Sequence, residues 1–464
     1  MSFLFLSFSL FNFISAQVSF FEKPIDNGFY CRDVASNEAV VPVSGVVDYP
    51  GVEKLALIAF KDGVVFAGVT QQLSYNANGQ APFDMSITIE AGLHDYAFYL
   101  YAEKSGVRRQ IFASKNIVSG DAYIIDGQSN AVATDYHFEG LANEHQSPWI
   151  RTYGTASLDA SDVQSNKEWS MAGGLSLHGK SSVGAWGLRC AYLLMNEFQM
   201  PIALLNGAVG GTTIQQHLRD TNNPDNLNTI YGRLLYRAIK SGISSKARAI
   251  LWHQGESNGA EDPQVYLANW NILRSAWSED YPNANRVFVF QIRDGCGVDG
   301  RIAIRELQRR FPDMYDDITL VPTTAINEHD GCHFFYQGYK TMGTWMATAV
   351  AKEVYGKSVL PNMLPPRVKE ARFVNNNRKF IELSFHNSNQ SLVLDSNIES
   401  RFSLGSGSNQ VIVNASTVPG KIFLELSAET SSTAISFVGN SGSGPWIKNE
   451  FGVGAFTFKV PILP

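Results

Sequence analysis

The sequence predicts an α/β chain whose central domain holds a mainly parallel five-stranded sheet, flanked by N-terminal and C-terminal β-sandwich-like modules. Three observations predict it. Apolar residues alternate with polar ones up to about Gly120, strand-like runs then alternate with helix-like stretches as far as Val354, and period two returns after Leu364-Pro365-Pro366. The length of 464 residues also calls for about three domains, each with its own core.

The first module spans 17–120, with runs such as Ala39–Val47, Lys54–Phe60, Met85–Ile89 and Tyr96–Tyr101. Asp62-Gly63 and Asn76-Ala77-Asn78-Gly79 supply turns between them, so an antiparallel sandwich is expected. The central domain, 121–360, carries five strand-like runs: Ala122–Asp126, Ile202–Asn206, Ala249–His253, Val287–Ile292 and Ile318–Thr323. Between and after them, Ala185–Phe198, Ile230–Ile239, Val265–Trp277, Ile302–Phe311 and Gly338–Val354 repeat apolar residues every three to four positions, which is helical spacing. Such alternation implies a mainly parallel sheet covered on both faces. The last module, 366–464, returns to strands at Lys379–Phe385, Val411–Asn414, Lys421–Leu426, Ala434–Val438 and Phe456–Val460, with turns at Gly405–Ser408 and Asn440–Gly444.

Composition narrows the function. With 44% hydrophobic and 17% charged residues the chain is globular, and a formal charge of −6 without a basic run offers no footprint for nucleic acid or an anionic membrane. Residues 1–16 read as a short apolar leader ending at Ala16, so the protein is expected to be secreted or periplasmic; a buried first strand would also fit the Phe/Leu run. No other stretch is long and apolar enough for a membrane helix, and a soluble mature protein is expected.

In an open α/β sheet the ligand site lies beyond the carboxyl ends of the strands. There the chain reads Gly127-Gln128-Ser129-Asn130, Gly207-Ala208-Val209-Gly210-Gly211-Thr212, Gln254-Gly255-Glu256-Ser257-Asn258 and Asn327-Glu328-His329-Asp330-Gly331-Cys332-His333. Acyl transfer needs a hydroxyl nucleophile, a base, a group orienting that base, and donors for the developing oxyanion. These loops hold all four kinds of residue. Asp330 and His333 are three apart, near enough for carboxylate and imidazole to meet, and Gly210-Gly211 lets backbone N–H groups approach a substrate oxygen.

The ordered set Gly127-Gln128-Ser129-Asn130, Val209-Gly210-Gly211-Thr212, Trp252-His253-Gln254-Gly255-Glu256-Ser257 and Asp330-Gly331-Cys332-His333 resembles the SGNH hydrolase superfamily, and within it the sialate O-acetylesterase-like carbohydrate esterases. The resemblance covers roughly 122–354. It implies a three-layer SGNH-type domain and a carbohydrate O-acetylesterase. Carried over by position, it implies Ser129 as nucleophile, His333 as base, Asp330 as the group holding His333, and an oxyanion hole from the backbone N–H of Ser129 and Gly211 with the side-chain amide of Gln254. Many members have an asparagine where this chain offers Gln254, and Asn258 is the substitute. The substrates implied are acetylated sugars, with a neutral hemicellulose such as acetylated xylan preferred to a sialate.

The same residues admit other readings. Ser129 alone would serve as a helix cap, Gly210-Gly211 as a turn, Glu256 as a strand-end cap or supporting group, and Asp330 with His333 as a surface pair. No cofactor or metal is expected, because His329, Asp330, Cys332 and His333 do not recur with zinc-ligand spacing. Gly255-Glu256-Ser257-Asn258-Gly259 fits the nucleophile elbow of α/β-hydrolases, which would move the nucleophile to Ser257, but Ala260-Glu261-Asp262-Pro263 stands where a helix should begin. A glycan-binding protein with a retired esterase domain is the rival from another class. Among Cys31, Cys190, Cys296 and Cys332, the pair Cys296 and Cys332 falls at one edge of the sheet, where a disulfide would brace the His333 loop; two buried thiols is the alternative. Arg151 and Arg293 follow strands and are the candidates to meet a substrate carboxylate, or to serve as structural ion-pair partners.

Overall fold

The strand Val107–Gly127 begins in an antiparallel hairpin with Gly92–Lys104 and ends inside a parallel sheet, in a computed structural model that describes residues 18–175, 177–296, 302–405, 411–437 and 444–464. Its first half alternates in burial, whereas every residue from Ile117 to Gly127 is buried. That change marks the passage from a half-solvated sheet to one covered on both faces. The leader expected at 1–16 lies outside the described residues, as do most of the turns expected at Gly405–Ser408 and Asn440–Gly444.

The protein is mixed α/β with several sheets. Counted over the described residues, Val18–Glu22, Glu38–Val47 and Ala81–Glu90 form a three-stranded antiparallel sheet. It encloses an apolar core with Lys54–Lys61, Val64–Gln72, Gly92–Lys104 and the start of Val107–Gly127. Those strands belong to the same eleven-stranded sheet as the central domain, because Val107–Gly127 runs through residue 120 without a break. The junction is pinned by charge: the buried Asp121 carboxylate accepts from Arg32 at 3.0 and 2.9 Å, Arg248 at 2.9 Å and the Tyr355 hydroxyl at 2.8 Å. Removing one member of such a buried group costs about 3–5 kcal/mol.

In the central domain Ile202–Asn206, Val107–Gly127, Ala249–His253, Val287–Phe290 and Ile318–Val321 lie side by side in that order, all parallel. The sheet is larger than the five strands expected. Ile150–Tyr153 adds a further parallel strand and Trp169–Met171 an antiparallel edge, both too short to show period two, the first also interrupted by Arg and Thr. Successive residues face opposite sides. Tyr123 and Ile125 join Ala185–Phe198 and Tyr336–Tyr355 in one core, while Ala122 and Ile124 join Ile230–Lys240, Pro263–Asp280 and Ile302–Met314 in the other. Each fully buried Leu, Ile or Phe there contributes about 1.5–3 kcal/mol.

The C-terminal module orders Phe402–Leu404, Ala434–Phe437, Phe458–Leu463, Val368–Phe373, Phe380–Phe385, Lys421–Leu426 and Ile412–Val418 into one sheet, with Leu392–Leu394 and Ile447–Asn449 paired separately. It docks through polar contacts as well as apolar ones. Gln291 exchanges two hydrogen bonds with Thr457, at 2.9 Å each, and Trp446 Nε1 donates to Asn327 Oδ1 at 2.7 Å. Asn327 opens the loop that leads to His333. Ile202–Asn206 and Ala249–His253 flank Val107–Gly127 on opposite sides, so the strand order reverses there, and the crevice at their carboxyl ends is where ligand sites form.

Candidate active site

The chain leaves the Val107–Gly127 strand through Gly127, whose φ of +135° suits glycine and where a Cβ would lie 2.1 Å from the His253 carbonyl oxygen. Gln128 stays extended and Ser129 begins a four-residue helix, Ser129–Val132. A residue at a helix start has an N–H without an intrahelical acceptor, so the Ser129 N–H is available to a ligand. Its side chain lies at the floor of a cleft of about 650 Å³ whose walls include Gly210, Gly211 and His333.

Around Ser129 the neighbours are fixed by side-chain hydrogen bonds. Gln128 Oε1 accepts from the N–H of Ser257 at 3.1 Å and of Gly255 at 3.3 Å, tying the first loop to the third. Asn130, fully buried, donates to Glu256 Oε1 at 3.0 Å and to the Cys332 carbonyl at 3.1 Å, and accepts from the Tyr339 hydroxyl at 3.1 Å. The second loop is drawn in by the Val209 N–H on Gly127 O at 3.0 Å. A Cβ on Gly210 would sit 3.7 Å from Ser129 Cβ, and Gly211 holds a φ of +73° with open space beside it.

Asp330 Oδ1 accepts from the backbone N–H of Cys332 and of His333, both at 2.7 Å, and so fixes the turn that presents His333. Its Oδ2 lies 3.4 Å from His137 Nε2, an ion-pair approach without hydrogen-bond alignment. Burial pushes the Asp330 carboxyl up, but the two N–H donors with His333 and His137 outweigh it and hold the group below the ordinary carboxylate value. The His333 ring stacks on Tyr136, with centroids 4.2 Å apart, and its Nε2 is 3.9 Å from Cys332 Sγ. Burial lowers the His333 value below that of a free imidazole; Asp330 and Glu256 oppose this and His137 adds to it. Cys332 is bonded to Cys296, the disulfide expected to brace this loop, while Cys31 and Cys190 are free.

Glu256 reaches the cleft from the third loop. Burial pushes its carboxyl up, yet the His253 ring 3.1 Å away and the Asn130 amide hold it below the ordinary value. Its Oε2 has no hydrogen-bond partner among the described residues. Ser257 lies in the same cleft, on a short 3-10 turn.

The structure therefore brings Ser129, Gly211 and His333 to one cleft, sets Asp330 behind His333 through the backbone, and leaves Gln254 out. Gln254 is fully buried, and its Nε2 meets Asn258 Oδ1 at 2.6 Å, the Thr212 carbonyl at 3.1 Å and Gln128 Oε1 at 3.3 Å. The expectation that it points an amide at a substrate oxyanion is corrected: both amide hydrogens are engaged inside the fold. Asn258 is no substitute, because its Nδ2 is taken by Glu261 at 2.8 Å and Gln215 at 3.1 Å. Arg151 and Arg293 are buried and line no part of the cleft; Arg151 donates to Asn116 O, and Arg293 lies beside His329 and over the Phe334 ring. Sequence reasoning missed Tyr136 and His137, which follow the Ser129 helix in a stretch without periodicity or motif.

A family model described as "Carbohydrate esterase, sialic acid-specific acetylesterase" matches residues 119–352. A carbohydrate acetylesterase from Xanthomonas citri shares the fold with a TM-score of 0.66 at 16% identity, over 96% of this chain and 99% of its own. A protein from Arabidopsis thaliana aligns with a TM-score of 0.41 at 19% identity, over 51% of this chain and 99% of its own. A family two carbohydrate esterase from Cellvibrio japonicus aligns with a TM-score of 0.31 at 10% identity, over 72% and 95%. No curated protein matches the chain in sequence.

Proposed function

We propose, for a chain that belongs to the sialic acid-specific acetylesterase family of carbohydrate esterases and is thus an esterase, that it removes acetyl groups from a neutral glycan by a serine mechanism in an SGNH-type three-layer domain. The observation that carries the reading is the convergence of Ser129, Gly211 and His333 on one cleft from three separate strand ends. Ser129 Oγ attacks the acetyl carbonyl while His333 takes its proton, and the backbone N–H groups of Ser129 and Gly211 receive the oxyanion. Collapse leaves acetyl-Ser129 and returns the proton to the sugar oxygen; water, deprotonated by His333, then releases acetate. Asp330 holds the His333 turn and favours the imidazolium electrostatically.

Substrate choice rests on charge. A sialate carboxylate calls for a guanidinium partner, and among the described residues no Lys or Arg lines the cleft. Exposed Leu158 and Leu177 flank it instead, a wall suited to the apolar face of a neutral sugar. An acetylated hemicellulose such as xylan fits this better. The leader pattern and a disulfide beside the site favour a secreted or periplasmic enzyme.

The test is acetate release from a small acetate ester, from acetylated xylan and from an O-acetylated sialate. Ser129→Ala should lose several orders of magnitude in turnover and remain folded by circular dichroism, and Ser257→Ala should keep most of it. The reverse ranking would assign the nucleophile to Ser257, and a wild-type protein inert on every ester would leave a glycan-binding module.

A further inference from the structure

Asp126, His217 and Thr212 form a hydrogen-bonded line that no step of the proposed reaction uses. Asp126 Oδ1 lies 3.0 Å from His217 Nδ1, and His217 Nε2 lies 2.7 Å from Thr212 Oγ1, which in turn donates to the Val209 carbonyl at 2.7 Å. Asp126 and His217 are 0% exposed and Thr212 is 5% exposed, so water does not compete for these links. The line starts three residues before Ser129 and ends on the turn that contains Gly210 and Gly211.

A carbonyl cannot donate, so the Thr212 contact with Val209 O takes the hydroxyl hydrogen. Thr212 Oγ1 also meets His217 Nε2, and Nδ1 of the same ring meets Asp126, so the ring is held from both sides. Asp126 Oδ1 also accepts from the Gly127 N–H at 2.8 Å, which fixes the carboxylate against its own strand. His217 closes the 3-10 turn Ile214–His217, and its ring packs edge-on to Trp252, with centroids 5.3 Å apart.

The consequence falls on Val209, whose N–H is held by Gly127 O and whose C=O is held by Thr212. With both polar groups of that residue fixed and the Thr212 carbonyl accepting from Gln254 Nε2 at 3.1 Å, the Gly210-Gly211 turn is tied down at both ends, although the glycines have no side chains to hold them. A glycine pair is the most mobile backbone available, yet an oxyanion donor works only when it is aimed before the charge develops.

We infer that Asp126, His217 and Thr212 are positioning residues that fix the Val209–Gly211 turn and so aim the Gly211 N–H at the developing oxyanion. The inference rests on the assignment of Ser129 as nucleophile and Gly211 as oxyanion donor. It adds a buried relay, separate from the Asp330 and His333 pair, which acts on transition-state stabilisation and not on proton transfer.

The experiment uses the full chain and one small acetate ester, with Ser129→Ala, Thr212→Val, Thr212→Ser and His217→Gln measured together. Thr212→Val keeps the shape and removes the hydroxyl; kcat should fall about 10- to 100-fold while KM changes less than about twofold, because the lost precision acts mainly in the transition state. Thr212→Ser restores the hydroxyl and should recover most of kcat. A purely structural role would lower thermal stability in Thr212→Val without this split. Folded Thr212→Val with wild-type kcat overturns the inference. Should Thr212→Val not fold, His217→Gln decides: its amide can still meet Thr212 but loses Asp126, and wild-type kcat there overturns the inference equally. Activity retained in Ser129→Ala would instead remove the underlying assignment of the site.

Discussion

Asn130 donates its amide to the Cys332 carbonyl at 3.1 Å, and so joins the residue after Ser129 to the residue before His333. The same amide nitrogen reaches Glu256 Oε1 at 3.0 Å, so one side chain sets the spacing of three loops. Replacing it should therefore disturb chemistry and stability together. Asn130→Ala is expected to lower kcat at least about tenfold and stability by about 1–3 kcal/mol, the cost of leaving buried partners unmet. Steady-state kinetics beside chemical denaturation checks both; a stable and fully active variant would deny that the loops are coupled through this amide.

Activity should persist to lower pH than an ordinary histidine base allows. His333 must be neutral to accept the Ser129 proton, and burial shifts its value down, so the acid limb of kcat/KM should fall below about 6.5. The neighbours give the sign of two perturbations. Glu256 favours the charged ring, so Glu256→Gln should move the limb to still lower pH, and His137 disfavours it, so His137→Ala should move the limb up. A limb that stays in place in both variants would exclude His333 as the group that titrates.

The disulfide between Cys296 and Cys332 closes a loop of sequence separation 36 and ends one residue from His333. Cys296→Ser with Cys332→Ser should cost about 3–4 kcal/mol by the chain-entropy argument. It should also reduce kcat, since the base then rests on a turn held only by hydrogen bonds, from Asp330 and from the Asn130 amide. Denaturation and kinetics of the double variant, compared with the oxidised protein, provide the measure.

Gln254→Ala distinguishes a packing role from an oxyanion role. Loss of an oxyanion donor typically costs about 10²- to 10³-fold in turnover. Gln254 instead holds Asn258 Oδ1 and the Thr212 carbonyl, so the variant should lose stability and keep kcat within about tenfold. A loss of three orders of magnitude in a well-folded variant would return the amide to the oxyanion.

The parallel strands and the helices between them were legible because burial on both faces imposes continuous apolar runs and helices impose a 3.6-residue repeat. Ile150–Tyr153 was not, since a four-residue strand containing Arg and Thr has too few positions to show a period. That Ser129, Gly211 and His333 share one cleft was legible because loops at strand ends are where polar residues gather in this architecture. Gln254 misled for a related reason: it too follows a strand, and only its side-chain rotation, set by the Asn258 and Thr212 acceptors, directs it inward. Asp126 was read as the end of a strand, and nothing in sequence links it to His217, 91 positions away.

The unbroken strand from Val107 to Gly127 gives the N-terminal module a mechanical standing as well as a spatial one. Its first half is anchored by the Gly92–Lys104 hairpin, its middle pairs with Phe29–Cys31 at Val118–Gly120, and its far end carries Ser129 two residues on. A cut at residue 120 would sever the beam and not a hinge, baring one edge of Val118–Gly120 and stripping Arg32 from Asp121. The smallest piece able to hold the serine still therefore begins near the start of the N-terminal sandwich, and engineers who wish to graft this esterase onto another protein should attach the new partner at a chain end and not at the module boundary.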